Sequence, residues 1–285
     1  MSERILQLSD AAESFSANGS VVYVMHRDQR LHDNHALLAA QSDAIHKKVP
    51  LIIVFLLYGN LGNRAREQYR FMLDGLRELK QSATSKNTSF IMRYAGDGDT
   101  DAVMMALKEF EAASVYFDFS PLCHARKLAK SVAKKFDGAS YVVDTHNIVP
   151  VWVASDKQEY AAHTIRRKLH KLLESYLKEP GELQQHPYEL TLPKQSLSFE
   201  DAETIIAKAS SNGTKTQVAS GETNALQQLK KFITHDLGNY AHGRNDIAVD
   251  QQTGFSPYLH FGQLSSLRVA QIGRASCRSR WSPYH

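Results

Sequence analysis

The chain has 285 residues, of which 42% are hydrophobic and 22% are charged, and its formal net charge is +4. This length fits about two domains, and the composition is that of an ordinary globular protein. No apolar run reaches the ~20 residues that a membrane-spanning helix needs. The two cysteines provide neither a disulfide framework nor the spacing of a metal site. The composition therefore argues against a membrane protein and a disulfide-rich secreted protein, and predicts a cytoplasmic one.

Between residues 21 and 144 the chain alternates short apolar runs with amphipathic stretches. Continuously apolar strands separated by helices indicate a parallel sheet that is covered on both faces. The sequence therefore predicts an α/β fold with a five-stranded, doubly wound parallel sheet. The predicted strands are residues 21–25, 51–56, 89–93, 115–117 and 141–143, and the clearest helix between them is residues 66–79.

Charged and polar side chains crowd the segment that follows the first predicted strand, from His26 to Asn34. Ligands of open α/β sheets bind at this carboxyl edge, but no glycine-rich phosphate fingerprint is present. We therefore expect these charges to form a network that fixes two domains to each other. His26 and His32 of this segment, and His35 directly after it, do not have the spacing of a metal motif. Cys123 is expected to be a small buried residue.

The α/β alternation ends in a polar crossover at residues 144–160, which passes Pro150. A helix is predicted to begin at Ser155, whose hydroxyl could cap the first turn. The cations of the basic helix that follows have the spacing of a solvated amphipathic face, which is the interpretation we favour. The predicted elements beyond the crossover are this basic helix over 160–177, an extended surface linker over 184–198, and helices over 199–209 and 220–236.

Residues 252–262 form the best candidate binding site in the sequence. Ser256 followed by Pro257 is a strong helix start, with serine as the cap and proline at the first helical position. Gly254 lets the backbone approach a ligand closely, and Thr253 adds a second hydroxyl. These groups predict an anion-binding helix N-terminus. The alternative is a simple helix cap.

The end of the chain, residues 272–285, resembles a translated sequencing adapter. A helix begins at Ser265, and its periodicity is expected to stop near Gln271. We hypothesise that the native sequence ends there and that the remainder is read-through of non-native DNA. Without the three arginines of this tail the net charge falls from +4 to +1, so basicity is poor support for nucleic-acid binding.

Four motifs together resemble the class II cyclobutane pyrimidine dimer DNA photolyases of the photolyase/cryptochrome superfamily. They are the Arg-Asp-Gln-Arg run at 27–30, the Asp-Phe-Ser-Pro-Leu run at 118–122, the crossover at 144–166, and the segment 240–262. The resemblance covers about residues 20–180 and 220–271. It implies a truncated chain with four parts: an antenna-type α/β domain at 19–150, a connecting helix and linker at 151–219, the start of an all-helical FAD-binding domain at 220–271, and the suspected non-native tail at 272–285.

This resemblance also implies a function. Class II photolyases are deoxyribodipyrimidine photo-lyases, in which light drives an electron from reduced FAD to a pyrimidine dimer flipped out of UV-damaged DNA. A second, antenna chromophore is implied, but its identity is not specified by the sequence. The expected protein is a monomer in the cytoplasm, or in the nucleus of a eukaryote. No catalytic residue is expected within the chain, because later helices complete the pocket, and the fragment alone is expected to be inactive.

By the same resemblance, one set of residues would hold the flavin: Tyr240, Gln252, Thr253, Gly254, Phe255 and Ser256. The family usually has serine where Thr253 stands, leucine where Phe255 stands, and often threonine where Gln252 stands. These departures are mild, because backbone amides provide much of the grip on the phosphates. Arg244 would face the pocket of the flipped dimer and contact DNA. A surface salt bridge with Asp246 is the alternative.

Two other classes of function remain open for this sequence. A cryptochrome-like flavin photoreceptor uses the same fold for signalling, and the class II motifs argue against it. A non-enzymatic nucleotide-binding α/β protein would explain residues 20–145 but would leave residues 240–262 unexplained.

Overall fold

Six strands form one sheet in the computed structural model, which describes residues 2–10, 19–58, 65–96, 98–190, 195–209 and 218–280. The strands are β1 (Ile5–Ser9), β2 (Ser20–Met25), β3 (Leu51–Tyr58), β4 (Ser89–Gly96), β5 (Ala112–Asp118) and β6 (Ala139–Val143). Their order across the sheet is β1-β6-β5-β2-β3-β4. Strands β2 to β6 are parallel, which confirms the predicted five-stranded core of the sheet.

The edge strand β1 was not predicted. It runs antiparallel to β6, with Ile5 opposite Val143. Its burial is partial, since an edge strand is covered on one side only, and its sequence carries no continuous apolar run. The conformation of β1 is therefore decided by its pairing with a strand more than 130 residues away in the chain, and not by its local sequence.

Helices cover both faces of the sheet, because the pleat of each buried strand sends successive side chains to opposite sides. In β2, Val21, Tyr23 and Met25 join one core cluster, whereas Val22 and Val24 join the other. The first cluster is covered by α1 (His35–Lys47), α2 (Arg66–Ser85) and α7 (Phe199–Ala209), and the second by α3 (Asp99–Glu109) and α4 (Cys123–Lys135). The helix predicted over 199–209 has these bounds in the structure.

Apart from a short 3-10 helix at Ser2–Arg4, the remaining helices lie after the sheet. They are α5 (Val151–Ala154), α6 (Ala162–Tyr176), α8 (Glu222–Lys231) with a π-helical turn at Phe232–Asp236, α9 (Tyr240–Gly243), α10 (Ser256–His260) and α11 (Ser266–Arg280). A third core cluster joins several of them to α2, since Phe71 packs with Phe232, Phe255 and Tyr258. None of the helices in the described ranges is both long enough and apolar enough to span a bilayer.

The predicted helix start at Ser155 was wrong. Helix α5 follows Pro150 directly and ends at Ala154, so that Ser155 lies in extended backbone after the helix. Proline fixes the backbone angle that suits the first turn of a helix, which moves the start forward in the chain. The Ser155 hydroxyl instead donates a hydrogen bond to Glu159, 2.9 Å away.

The linker at 184–198 is extended but is not confined to the surface, as was expected. His186 and Leu190 are buried, and the amide of Leu197 donates to the carbonyl of Met92 in β4 at 2.8 Å. The linker therefore contacts an outer strand of the sheet, whose unpaired backbone groups offer hydrogen bonds. Residues 191–194 lie outside the described part of the chain.

Helix α11 continues to Arg280, so the expectation that helical periodicity stops near Gln271 was wrong. Ile272 packs against the third core cluster, and such tertiary contact sustains a helix beyond its local propensity. Residues 281–285 lie outside the described ranges. The non-native origin of residues 272–285 stays a hypothesis.

Candidate functional site

Asp118 at the end of β5 organises the segment that follows β2. Its carboxylate accepts the backbone amides of His26, Arg27 and Asp28 at 2.9, 3.0 and 3.1 Å, and the Tyr23 hydroxyl at 2.6 Å. Burial and the nearby Asp28 carboxylate raise the pKa of Asp118 to about 6. The parallel strands bring these groups together because β2 and β5 are neighbours whose carboxyl ends meet at one edge.

A buried ion pair lies beside this carboxylate. The Arg30 guanidinium is 2.7 Å from Asp28, and the two side chains are 2% and 0% exposed. Although burial alone would raise the pKa of Asp28, Arg30 holds it below its ordinary value. Arg30 also donates to the carbonyl of Gly262 at 2.9 Å and to that of Asp33 at 3.1 Å. The pair therefore ties the sheet to the loop after α10.

Three further contacts join the same two parts of the chain. Arg268 of α11 forms a bidentate ion pair with Asp33, at 2.6 and 2.9 Å. Glu222 at the start of α8 accepts the amides of Leu31 and His32, both at 3.0 Å. These contacts confirm the expectation that the charges after the first parallel strand fix the two parts to each other.

Hydrogen bonds from neighbouring side chains fix the loop at residues 252–256. Gly254 has φ +68, a conformation that favours glycine. The Gln228 side chain donates to the carbonyl of Thr253 at 3.0 Å, and the Thr253 hydroxyl accepts the amide of Phe255 at 3.3 Å. Gln228 lies on α8. Its role in the site could not be predicted from the sequence, because nothing in the local sequence links it to a loop 25 residues later.

Ser256 does not cap α10, contrary to the prediction. Phe255 occupies the cap position with no side-chain hydrogen bond, and Ser256 is the first helical residue. Because Phe255 is buried against Phe232, the backbone enters the helix one residue earlier than serine capping would require. The Ser256 side chain is exposed. A helix of five residues also has a small dipole, so the groups that a ligand could contact here are the hydroxyls and free amides of the loop rather than a helix end.

Tyr240 lies in the same cluster as this loop. Phe232 packs edge-on against Tyr240 at 5.2 Å and against Phe255 at 5.2 Å, and so bridges the two. The Arg244 guanidinium lies 5.7 Å from the centre of the Tyr240 ring. Within the described ranges Arg244 forms no ion pair with Asp246, which accepts the amide of Ala248 instead. The expected alternative for Arg244, a salt bridge, is therefore absent there.

The structure brings most of the predicted site residues to one place. Gln252 donates its side-chain amide to the carbonyl of Arg244 at 2.7 Å, which joins the loop to α9. Ser256 and Arg244 are exposed, whereas Phe255 is 4% exposed. Phe255 therefore anchors the loop through its side chain, while its amide donates to the Thr253 hydroxyl and its carbonyl accepts the amide of Leu259. Two neutral hydroxyls and a positive-φ glycine suit the phosphates of a nucleotide cofactor.

A second group of side chains lies at the carboxyl edge of the sheet. The rings of His26, Tyr58 and His124 are 5.4 to 6.4 Å apart, and the Tyr58 hydroxyl and one ring nitrogen of His26 have no hydrogen-bond partner in the described structure. The cavity beneath them measures about 10 Å³, the size of one water molecule. Cys123, at the start of α4, is exposed rather than buried, because its helical position faces away from the sheet.

The pKa of His26 provides a test of how deeply this ring is buried at the carboxyl edge of the sheet. Burial, aided by His124, lowers it to about 4. The unfolded chain takes up a proton near pH 6.5, and the folded chain does so only near pH 4, so stability falls as the pH falls through this window. The titration of Asp118 has the opposite effect on stability in this pH range. Its raised pKa favours the folded state as the pH falls.

We expect His26→Gln to reduce the loss of unfolding free energy between pH 7 and pH 5 by about 1–2 kcal/mol. Asp118 titrates in both proteins and cancels in the comparison. Urea unfolding at the two pH values measures the difference. The exposed His46 on α1 provides the control, because His46→Gln should keep the wild-type loss. Equal losses in the wild type and His26→Gln would show that the imidazole is not held neutral.

Comparisons with known proteins fit this arrangement. A family described as DNA photolyase matches residues 21–188. A deoxyribodipyrimidine photo-lyase of Arabidopsis thaliana is 36% identical over 90% of this chain and 53% of its own length, and one of Potorous tridactylus is 32% identical over 94% and 50%. The chain thus spans about half the length of these relatives.

Solved structures show the same fold at lower identity. A bacterial class III photolyase from Agrobacterium tumefaciens is 20% identical, with a TM-score of 0.68 over 97% of this chain and 60% of its own. An archaeal photolyase from Sulfolobus tokodaii, solved with two FAD molecules, is 15% identical, with a TM-score of 0.67 over 90% and 55%.

Proposed function

The chain belongs to the DNA photolyase family, and from that membership we propose that it serves the light-driven repair of cyclobutane pyrimidine dimers in DNA by electron transfer from reduced FAD. One observation carries the proposal beyond the family match. The loop at 252–256 is anchored by Phe255 on its buried side and leaves the hydroxyl of Ser256 exposed. That arrangement suits a cofactor contact better than a plain turn.

In this proposal the flavin phosphates lie against the loop. Thr253 and Ser256 would supply hydroxyls and Gly254 a backbone amide, while Phe255, whose amide donates to Thr253, anchors the loop. Tyr240 and Gln252 lie next to these loop residues, and Gln228 fixes the loop by its hydrogen bond to the Thr253 carbonyl. Reduced FAD, when bound, would supply the electron that splits the dimer, and the chain's residues would bind and orient it. Arg244 contacts the DNA near the flipped dimer, since it is exposed and free of an acidic partner within the described ranges.

The assignment to class II rests on the motifs at 27–30, 118–122 and 144–166 and is part of the proposal. UV-damaged DNA is the proposed partner, and a monomer in the compartment that holds the DNA is the proposed state. An antenna chromophore stays a prediction. The cavity of about 10 Å³ at the sheet edge would have to open before it could take a ring system.

A signalling photoreceptor is the weaker candidate. The relatives matched in sequence over most of this chain carry the name deoxyribodipyrimidine photo-lyase, and likeness in fold alone does not separate repair from signalling. A non-enzymatic nucleotide-binding protein is weaker still, because it leaves the anchored loop and the Tyr240 cluster without a role.

A chimera tests the flavin site. We would join residues 1–271 of this chain to the remaining half of the Arabidopsis thaliana relative, and refer to this protein as the completed chimera. In it, Ser256→Glu places a negative charge beside the flavin phosphates. We expect flavin affinity to fall by at least about tenfold, equivalent to about 1.4 kcal/mol. The exposed Ser42 on α1 provides the control, since Ser42→Glu adds the same charge away from the site.

The readout is flavin absorbance per protein after gel filtration, together with binding of dimer-containing DNA. Arg244→Ala should keep full flavin occupancy and weaken DNA binding by about tenfold, the effect of losing a hydrogen bond to a charged group. Full occupancy in Ser256→Glu would mean that the loop is only a turn. A loss of flavin in Ser42→Glu would mean that the effect is not local.

A further inference from the structure

Helix α6 carries a stripe of cations that the proposed chemistry does not use. The exposed residues on one side of this helix are His163, Arg166, Arg167, His170 and Lys171, which we call the α6 basic face. They recur at intervals of three and four residues, which places them on one side of a helix. The sequence alone favoured a plain solvated face. The structure adds the positions of the neighbouring acids.

The nearby carboxylates are engaged elsewhere. Glu159 pairs with Lys168 at 2.7 Å, on another side of the helix. Glu174 pairs with Arg274 at 3.4 Å, and Glu179 with Arg268 at 3.2 Å. By contrast, Arg166, Arg167 and Lys171 have no ion pair among the residues whose positions are described. Glu174 lies one turn after Lys171, and its partner Arg274 belongs to the suspected non-native tail, so the positive potential of the α6 basic face rests chiefly on Arg166 and Arg167.

The helix is also connected to the N-terminal segment and to α11. Tyr176 at its end hydrogen-bonds the carboxylate of Glu3, and the Arg4 guanidinium lies 5.5 Å from the Tyr176 ring. Glu174 and Glu179 join this region to α11, which packs against the cluster that contains Phe255. These contacts connect α6 to α11, although none of the side chains of α6 is itself buried.

We propose that the α6 basic face binds the phosphate backbone of DNA that flanks the lesion. This inference rests on the proposed function, which makes DNA the substrate. From His163 to Lys171 the helix rises about 12 Å, at about 1.5 Å per residue. One DNA strand presents a phosphate about every 3.4 Å along its axis. The face therefore spans about three to four phosphates, enough for each of its three permanent cations to contact one.

A variant with matched net charge tests this inference in the 285-residue chain. The test variant is Arg166→Gln, Arg167→Gln and Lys171→Gln. The control variant is Lys127→Gln, Lys130→Gln and Lys134→Gln on α4, whose side chains are likewise exposed and without an ion pair in the described structure. Both remove three positive charges. Circular dichroism confirms that each variant folds, and the conservative variant Arg166→Lys with Arg167→Lys retains the charge.

The measurement is binding to a labelled 20-base-pair DNA duplex as a function of KCl concentration. Each lost phosphate contact should lower the slope of log K against log salt by about 0.9, so the test variant should lose about 2.7. Between 50 and 200 mM salt, the wild type should therefore lose about 40-fold more affinity than the test variant. The α4 control should lose less than about 1 in slope, and the lysine variant should behave as the wild type.

Each other outcome counts against the inference. Equal slope changes in the two triple variants would show general electrostatics rather than a DNA-binding face. No change in the test variant, with normal DNA binding by the wild type, would refute the α6 basic face alone. A wild type that does not bind DNA at 50 mM salt would refute the proposed partner as well. The same face-dependent slope with duplex RNA or phosphatidylserine vesicles, without DNA binding, would assign the face to another partner.

Discussion

Replacing Arg30 with methionine is expected to lower the free energy of unfolding by about 3–5 kcal/mol, the cost of breaking a buried ion pair by removal of one partner. Methionine retains most of the volume but leaves Asp28 buried beside the Asp118 carboxylate with no permanent cation, and only the His146 ring remains near it, at 3.4 Å. The hydrogen bond to the Gly262 carbonyl is lost at the same time. Urea unfolding followed by circular dichroism measures the change.

Two controls separate this effect from a general loss of charge. Lys135→Ala removes an exposed pair with Asp101, and it should cost no more than about 1 kcal/mol. Adding Asp28→Asn to Arg30→Met removes the uncompensated carboxylate, so the double variant should recover part of the lost stability. A cost below about 1 kcal/mol for Arg30→Met would contradict a network that fixes the two parts of the chain.

Among the glycines whose surroundings the structure describes, Gly262 should be the one whose replacement by alanine is most damaging. Its φ of +66 favours glycine, and a Cβ there would lie 2.1 Å from the Arg27 carbonyl oxygen and 2.7 Å from the Asp28 Cα. Both contacts are with backbone atoms, which cannot rotate away. Left-handed strain costs about 1–2 kcal/mol and overpacking about 1–3 kcal/mol, so we expect a total of about 2–5 kcal/mol.

Gly181→Ala is the matched control, because a Cβ at Gly181 meets nothing within 4 Å. It should change the free energy of unfolding by no more than about 0.5 kcal/mol, the range of ordinary surface substitutions, and so leave the urea midpoint nearly unchanged. Gly262→Ala should also make the region after residue 218 more sensitive to proteolysis, since the loop after α10 would separate from the sheet. Equal midpoints for the two variants would show that the close approach of Gly262 to Arg27 does not hold the loop.

The elements that could be predicted from the sequence are those whose signal is local. The five parallel strands appear as continuous apolar runs, and the helix Phe199–Ala209 has a strong amphipathic period. Strand β1 could not be predicted, because its conformation depends on pairing with β6. Ser155 and Ser256 were both misplaced by the same reasoning. A serine before a helical pattern predicts a cap, but the neighbouring Pro150 and the burial of Phe255 set the helix starts instead.

In the candidate site, too, only the features with a local signal could be predicted from the sequence. Glycine, hydroxyl and tyrosine residues within about 20 positions of each other could be identified as a site from their types and their resemblance to a family. The contacts that hold them could not. Gln228 reaches Thr253 across 25 residues, and Arg30 reaches Gly262 across 232. Long-range pairs of this kind leave no periodic pattern in the sequence.

Light-dependent repair by the completed chimera tests the central claim most directly. The substrate is an oligonucleotide with a single cyclobutane pyrimidine dimer, incubated with chimera whose flavin is reduced, under blue light or in the dark. The isolated half of the Arabidopsis thaliana relative provides the control for activity that does not need this chain. We predict that dimers disappear in the light only, and only with the chimera. A chimera that binds flavin and damaged DNA fully, yet leaves the dimers intact under illumination, would contradict the proposed function.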